Sequence, residues 1–478
     1  MLVSPLRIRY NRESNVRKEL NPLLPLTGDE RRAFFHSLRT LALPMVLQNL
    51  ISSAVNSADV LMLGYVGESA LSAVSLANQL LFWLYGLFFG ISSAIGMLVS
   101  QYWGKGDRRS IQAVMGIALK ITLVVTSMVS AAAIFLPEPI LRIFTPNQEL
   151  ITIGSSYLRV IGVAWLFQGM SQVYEATMRS MGRAALSTRL VCIALVLNIT
   201  LNAVFLFGLL GAPRLGVVGV GVATLIARGV ELLLCLMDAR RSQTLDYDVH
   251  ILLGAHPGLR RDFIRYAVPA LLNDFVWTAA FSSYSIIYGH LGADMVAASA
   301  VATTVQQLTS TVAFGMSGAG TVLVGRELGA GRTETARAYA STLCRLTLCA
   351  GVVTGAVILT LRPLVLQLYG PRLSATGWDY LSFMLLVSSY YVIGQQMNTL
   401  VIAGIFRAGG DARFGLLCDF VTMWVVSVPV SFFSAFVLHL PVKAVYFIIC
   451  LDEFYKIPTA YRHYKRYRWL KDITREYE

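Results

Sequence analysis

Charge is scarce in this chain. Asp, Glu, Lys and Arg make up 14% of its 478 residues, against about 25% in soluble domains. Residues 191–212 carry no charged side chain, and residues 113–136 carry only Lys120. About 20 apolar residues suffice to cross a bilayer, and the mean hydropathy is +0.61, so a water-soluble globular protein is excluded. Cysteine is scarce too. Cys192, Cys235, Cys344, Cys349, Cys418 and Cys450 all lie in apolar stretches without a CxxC pair, which argues against a disulfide framework or a zinc site. No GxxxxGK[ST] motif occurs, which excludes a P-loop pump, and neither GxSxG nor HExxH is present. The six histidines are dispersed without metal-ligand spacing. No enzyme, no cofactor and no bound metal is expected. Residues 1–38 are polar and lack the apolar core of a signal peptide, so they read as a cytosolic tail.

What is present is apolar sequence in twelve expected spans: 39–64, 70–99, 112–136, 150–172, 185–210, 215–238, 264–290, 295–324, 338–361, 378–405, 414–438 and 440–460. The net charge of +13 would suit a nucleic acid partner, but its distribution argues otherwise. With the N-terminus inside, most of the basic residues fall in inside segments. Arg142, Arg214, Arg362, Arg372 and Lys443 fall outside, and Lys120, Arg159, Arg228 and Arg345 fall within spans. That bias satisfies the positive-inside rule and places both termini in the cytoplasm. No nucleic acid partner is expected. The basic stretch 461–471 reads as a topology signal.

The two halves repeat. A shift of 225 residues places Pro44, Gly64, Gly67, Phe89, Gly90, Leu98, Val99, Gly104 and Gly106 on Pro269, Gly289, Gly292, Phe314, Gly315, Leu323, Val324, Gly329 and Gly331. Arg179-Ser-Met-Gly182 meets Arg407-Ala-Gly-Gly410 at a shift of 228. Repeated membrane halves are the usual build of a secondary transporter, with substrate bound between them. Six spans in each half make the repeats parallel. The expected division is an N-terminal tail over 1–38, an N-lobe over 39–238, a linker over 239–263, a C-lobe over 264–461 and a basic tail over 462–478. The fold class is all-α integral membrane, with two pseudo-symmetric six-helix bundles.

Polar side chains inside a span are costly, and each invites a reason. Asp59 lies in the outer half of span 1 with no basic residue within a helical turn. Asn198 and Asn202 are four apart and share a helix face at similar depth, and Thr224 follows on span 6. Together they offer oxygen ligands to a hard cation, or a proton site at Asp59. The alternative is a hydrated carboxylate beside amides that bridge helices. Asp274 sits near the middle of span 7 beside Asn273, with no evident basic partner. It reads as a cavity charge that attracts a cationic substrate or exchanges a proton. Gln306, Gln307 and Gln396 read either as cavity lining or as helix-to-helix hydrogen bonds. Phe82, Trp83, Tyr85, Tyr390 and Tyr391 offer faces to an organic cation, or simply pack. Pro44 and Pro269 are hinges or static kinks. Asp452, Glu453 and Lys456 are expected to pair with each other or with a basic loop, and Arg228 with Glu231.

These motifs resemble those of the multidrug and toxic compound extrusion (MATE) family. The resemblance rests on Pro44 through Asp59 to Gly64, Gly104-Lys-Gly-Asp107, Arg179-Ser-Met-Gly182, Asn198-Ile-Thr-Leu-Asn202, Phe205-Leu-Phe-Gly208, Pro269 through Asp274, and Gly329-Ala-Gly331. It covers roughly residues 39–461. It implies a V-shaped pair of six-helix bundles in a bacterial inner or plasma membrane, working as a monomer among lipids. It also implies export of organic, often cationic, small molecules in exchange for H⁺ or Na⁺. The family's N-lobe cation site falls on Asp59, Asn198, Asn202 and Thr224. Many members carry Asp where this chain has Asn202, which leaves one carboxylate here and favours protons at least as much as Na⁺. The C-lobe acid is often Glu where this chain has Asp274, and the acid that some members carry on span 10 has no counterpart between Leu381 and Ile405. The Pro44 position bends in some members when the nearby Asp is protonated. The alternative function is a lipid-linked saccharide flippase, which would hold several bases in its cavity. The few deep bases and the acidic Asp274 disfavour it.

Overall fold

The computed structural model describes residues 26–476, apart from Gln243, Asp246, Pro371 and Arg372. Residues 1–25 of the expected N-terminal tail, the outer base Arg372 and the linker acid Asp246 therefore lie outside the described residues. The described chain is helical and contains no strand. The N-terminal half forms α1 (Gly28–Val66), α2 (Glu68–Lys105), α3 (Arg108–Phe135), α4 (Gln148–Ser180), α5 (Ala184–Phe207) and α6 (Gly216–Arg241). The C-terminal half forms α7 (Pro257–His290), α8 (Ala293–Gly329), α9 (Thr333–Tyr369), α10 (Ala375–Asn398, continued by π-helical Thr399–Phe406), α11 (Ala412–Phe436) and α12 (Val442–Ile449, then Asp452–Lys465). All of these but α7, α10 and α12 are long and apolar enough to cross a membrane without interruption. The expected continuous span 440–460 is broken at Cys450 and Leu451, just before the charged Asp452, Glu453 and Lys456.

Local chemistry sets the helix ends. Thr27 opens α1 with a capping box: its Oγ1 accepts from the Glu30 backbone N–H at 3.4 Å while Glu30 Oε2 accepts from the Thr27 N–H at 3.0 Å. Asp107 caps α3 by accepting from Ser110 N–H at 3.0 Å. Gly106, at φ 81°, closes α2 in the left-handed region that a side chain would resist.

Two helices exchange lobes. The end of α1 nearest the chain termini packs Phe34, Leu38 and Leu41 against Leu323, Ala336 and Tyr339 of the C-terminal half. Its other end packs Val55 against Val191 and Leu195 of α5. Correspondingly, Leu259 and Phe263 of α7 join a core with Ile91, Tyr102 and Ile111 of α2 and α3. The far end of α7 packs Ala280, Tyr284 and Ile287 with Met423 and Val445. Pro44 and Pro269 lie where α1 and α7 pass from one lobe to the other, inside helices that continue through them.

The lobes meet in the half that carries the C-terminus, here called the tail side, and the contact obeys the repeat. A Cβ on Gly104 would collide with the Arg326 carbonyl, and one on Gly329 with the Gln101 carbonyl. Gly104 and Gly329 are 225 apart, as are Gln101 and Arg326. One level deeper, Gly90 faces Leu271 while Gly315 faces Val46, again a pair of equivalents. The C-terminal segment straps this seam. The Gln101 side chain donates to the carbonyls of Ala408 (2.7 Å) and Lys471 (3.0 Å) and accepts from Ile473 N–H (2.8 Å). Arg475 pairs with Asp262, and Trp469 is fully buried. The stretch read as a topology signal is thus also a docked structural element, helical through Lys465.

Candidate functional site

The N-terminal half brings Asp59, Asn198, Asn202 and Thr224 together from α1, α5 and α6. Asn202 Nδ2 donates to Asp59 Oδ1 at 2.7 Å and lies 3.3 Å from Asn198 Oδ1. Asn198 Nδ2 donates to Thr224 Oγ1 at 3.1 Å, and Thr224 donates to the Val220 carbonyl at 2.9 Å. Every donor in this chain is neutral. The neighbouring base, Arg228, is engaged by Glu231 at 2.7 Å, as its spacing predicted. Asn202 Oδ1 is buried without a hydrogen-bond partner. Turning that amide about its Cβ–Cγ bond would present an oxygen instead of a donor to Asp59. The constellation therefore suits either a proton on Asp59 or a small cation among the oxygens.

A second feature lies between the lobes at mid-depth. A cavity of about 560 Å³ is walled by Phe82, Trp83, Tyr85 and Phe89 of α2, Phe275 and Trp277 of α7 and Phe314 of α8. Ligand pockets commonly span about 300–1,000 Å³. Trp83 and Phe275 face each other across the lobes at 5.4 Å and are 55% and 51% exposed, so the aromatic wall is available to an incoming solute. The C-lobe side of the cavity is polar. Asp274, expected to lack a basic partner, is paired with Arg407 at 2.9 Å; the Arg approaches from the far end of α10, remote in sequence. Arg407 also donates to Asn273 Oδ1 at 2.9 Å and reaches Ser93 of the other lobe at 3.1 Å. Asp274 Oδ2 remains buried and without a partner. Asn273 Nδ2 donates to Asp419 Oδ2 at 2.6 Å. Lys456 lies 3.1 Å from Asp419 Oδ1 and 3.4 Å from Glu453 Oε1.

Helix irregularities aim these groups. Asn398 ends the α-helical part of α10, and Asp419 immediately precedes the π-helical Phe420–Ser427 within α11. Such wide turns often occur at functional positions. The break in α12 starts a fresh helix with Asp452 and Glu453 in its first turn, where carboxylates suit the positive helix end. A larger hollow of about 820 Å³ lies on the tail side between Arg265, Arg413 and the strap. It has no aromatic wall comparable to that of the inter-lobe cavity.

The sequence as a whole now points one way. The MatE family model matches residues 44–204 and, again, residues 269–433. The chain belongs to the MatE family. The two matched segments start 225 residues apart, the same shift as the internal repeat. PmpM, a multidrug resistance protein of Pseudomonas aeruginosa, is 26% identical over 86% of this chain and 86% of its own length. A probable multidrug resistance protein, NorM, of Bradyrhizobium diazoefficiens is 28% identical over 84% and 87%. Among solved structures, a MOP superfamily transporter from Pyrococcus furiosus superposes with a TM-score of 0.81 at 19% identity, covering 91% of this chain and 96% of that one. A MATE structure in a bent conformation gives 0.82 at 18%, covering 92% and 95%. This MatE protein is an integral, multi-pass membrane protein of a transporter family.

Some expected cavity residues lie elsewhere. Gln306 lies inside the C-lobe, donating to Ser388 at 3.1 Å. Gln396 is fully buried and donates to Thr354 at 3.2 Å. Gln307 is exposed and does not line the inter-lobe cavity. The first two therefore act as interhelical bonds, the alternative weighed for them. A second C-lobe acid is present one span beyond span 10: Asp419 lies among apolar residues of α11, where nothing nearby in sequence marks it. Glu453 and Lys456 do pair, while Asp452 accepts from the Glu453 backbone N–H, and the further partner of Lys456 is Asp419 and not a basic loop.

Proposed function

We propose that this protein exports organic, amphipathic and cationic compounds in exchange for H⁺ or Na⁺. The tail side faces the cytosol of a bacterial inner membrane, which the distribution of basic residues favours. The described conformation then faces outward, with its lobes sealed on the cytosolic side. The observation that carries this reading is Asp59, a carboxylate within a membrane span that is satisfied by a neutral amide and by no base. Such a group is poised to change its charge or its ligand. The aromatic wall with the unpartnered Asp274 Oδ2 supplies the complementary place for an organic cation.

In this cycle, ion uptake at Asp59 breaks or reverses the Asn202 hydrogen bond. The far half of α1 then moves with the N-lobe, while its tail-side half stays on the C-lobe. Pro44, at that crossing, is where the backbone lacks a hydrogen bond to resist bending. Solved MATE structures are described in a bent and in a straight conformation. Exchange requires that the ion and the solute prefer different conformations.

Export of a lipid-linked saccharide is the second reading, and Arg407 and Lys456 at the cavity favour it. Both bases are already matched by carboxylates, which leaves no surplus positive charge for a pyrophosphate. The test uses purified protein in liposomes with a fluorescent organic cation under a pH gradient or a Na⁺ gradient. Dye movement driven by one gradient and abolished in Asp59→Asn is the expected result. Movement that persists in the folded Asp59→Asn protein removes Asp59 from coupling.

A further inference from the structure

The C-lobe counterpart of Asp59 carries no carboxylate. The repeat shift of 225 residues carries Asp59 onto Tyr284, which donates through its Oη to Ser427 Oγ at 2.8 Å. Of the C-lobe acids near the cavity, Asp274 is paired with Arg407, and Asp419 and Glu453 stand around Lys456.

Lys456 is 2% exposed, and its ammonium lies between Asp419 and Glu453. One oxygen of each carboxylate is fixed by an amide. Asn273 donates to Asp419 Oδ2 at 2.6 Å, and Asn398 donates to Glu453 Oε2 at 2.8 Å. The other oxygen of each, Asp419 Oδ1 and Glu453 Oε1, is the one nearest the ammonium. Two carboxylates oriented by amides around one central charge present the kind of oxygen donors that hard cations take. Here the centre is a side chain. A buried charge is tolerable only when paired and hydrogen-bonded, so cradle and ammonium depend on each other. The lysine is also part of the repeat: a shift of 228, the one relating Arg179 to Arg407, places it on Arg228.

We propose that Lys456 is a built-in cation that fills a C-lobe ion site, so that the C-lobe takes up no coupling ion and exchange runs through Asp59 alone. This rests on the reading of the protein as a cation-coupled exporter. The consequence is specific. Removing the ammonium while keeping the carboxylates converts the cradle into a site for Na⁺.

The experiment measures thermal melting and ²²Na⁺ binding of the full-length purified protein at pH 8.5, in NaCl or choline chloride of equal strength. All variants carry Asp59→Asn, which silences the N-lobe site. The expected result is that the parent shows no saturable Na⁺ binding and no Na⁺-dependent melting. Lys456→Ala gains saturable binding and melts several degrees higher in Na⁺ than in choline, since a ligand that binds only the folded state stabilises it. Lys456→Arg stays insensitive to Na⁺, and adding Asp419→Asn to Lys456→Ala abolishes the gain. A Lys456→Ala protein that behaves identically in Na⁺ and choline, whether folded or unfolded in both, overturns the proposal. So does saturable Na⁺ binding by the parent that Asp419→Asn removes. The readout is binding, so it stands apart from the transport assay that decides the role of Asp59.

Discussion

The reciprocal glycine seam gives the sharpest mechanical prediction. An alanine at Gly104 would place its Cβ 2.8 Å from the Arg326 carbonyl carbon, and an alanine at Gly329 would place it 2.6 Å from Gln101 Cα. Ordinary Cβ contacts begin near 3.4 Å, and the obstacle is backbone in both cases, so no side chain can swing aside. The carbonyl oxygens lie nearer still in both cases, so the lobes must separate locally by more than about 1 Å, a distortion of the overpacking kind that costs at least about 1–3 kcal/mol. Each lobe is intact on its own side of the seam, so the penalty falls on the closed conformation and not on folding. A bias of that size shifts a two-state equilibrium by roughly 5- to 150-fold. Spin labels at Arg109 and Thr333, on the exposed tail-side ends of the two lobes, report the separation in a background with the six native cysteines replaced. Gly104→Ala and Gly329→Ala should each move the distance distribution toward longer separations and lower transport, with melting temperature little changed. Because the two contacts are equivalents, the two substitutions should act alike. Distributions indistinguishable from wild type in both well-folded variants would refute the reasoning.

Arg407→Gln removes the partner of Asp274, whose side chain is 22% exposed, and leaves that carboxylate uncompensated at a cost below the roughly 3–5 kcal/mol of a fully buried pair. Its melting temperature should fall, and adding Asp274→Asn should recover most of the loss; a double variant no more stable than the single one contradicts the pairing. Asn202→Asp sets a second carboxylate against Asp59, where two like charges share one site only with a cation or a proton between them. Na⁺ should therefore raise the melting temperature of this variant more than that of wild type, and an unchanged response argues against an ion site there. Trp469→Ala empties a fully buried position under the strap, stacked on Tyr464 at 5.5 Å. It should cost about 3–5 kcal/mol and free the C-terminal segment to protease ahead of the helices; unchanged protection of residues beyond Trp469 would show that the strap is not anchored there.

The parts of this protein that were legible in the sequence are those set by local periodicity or by repetition. Apolar length alone marked the helices, and the shift from Pro44 to Pro269 gave two bundles. The Asp59 constellation was legible for a related reason: Asn198 and Asn202 share one face by spacing, and Thr224 follows at similar depth, so depth counting placed all four together. The C-lobe network was not. Asp274 and Arg407 lie more than a hundred residues apart, on α7 and α10, and only tertiary packing shows that they pair. Asp419 sits among apolar residues of α11 where nothing nearby in sequence names a partner. The break in α12 carried a faint signal, three charges within five residues of an otherwise apolar stretch, but not what they face. Repetition held a further clue, since Arg179 and Arg228 map onto Arg407 and Lys456 at one common shift. Both lobes thus keep two bases in equivalent places, half-buried in one and buried in the other, while their acids differ: Glu175 and Glu231 in one lobe, Asp274, Asp419 and Glu453 in the other. Charges that depart from the repeat mark both constellations: Asp59 and Asp274 correspond to Tyr284 and Asn49 at the shift of 225, and Asp419 corresponds to Val191 at the shift of 228.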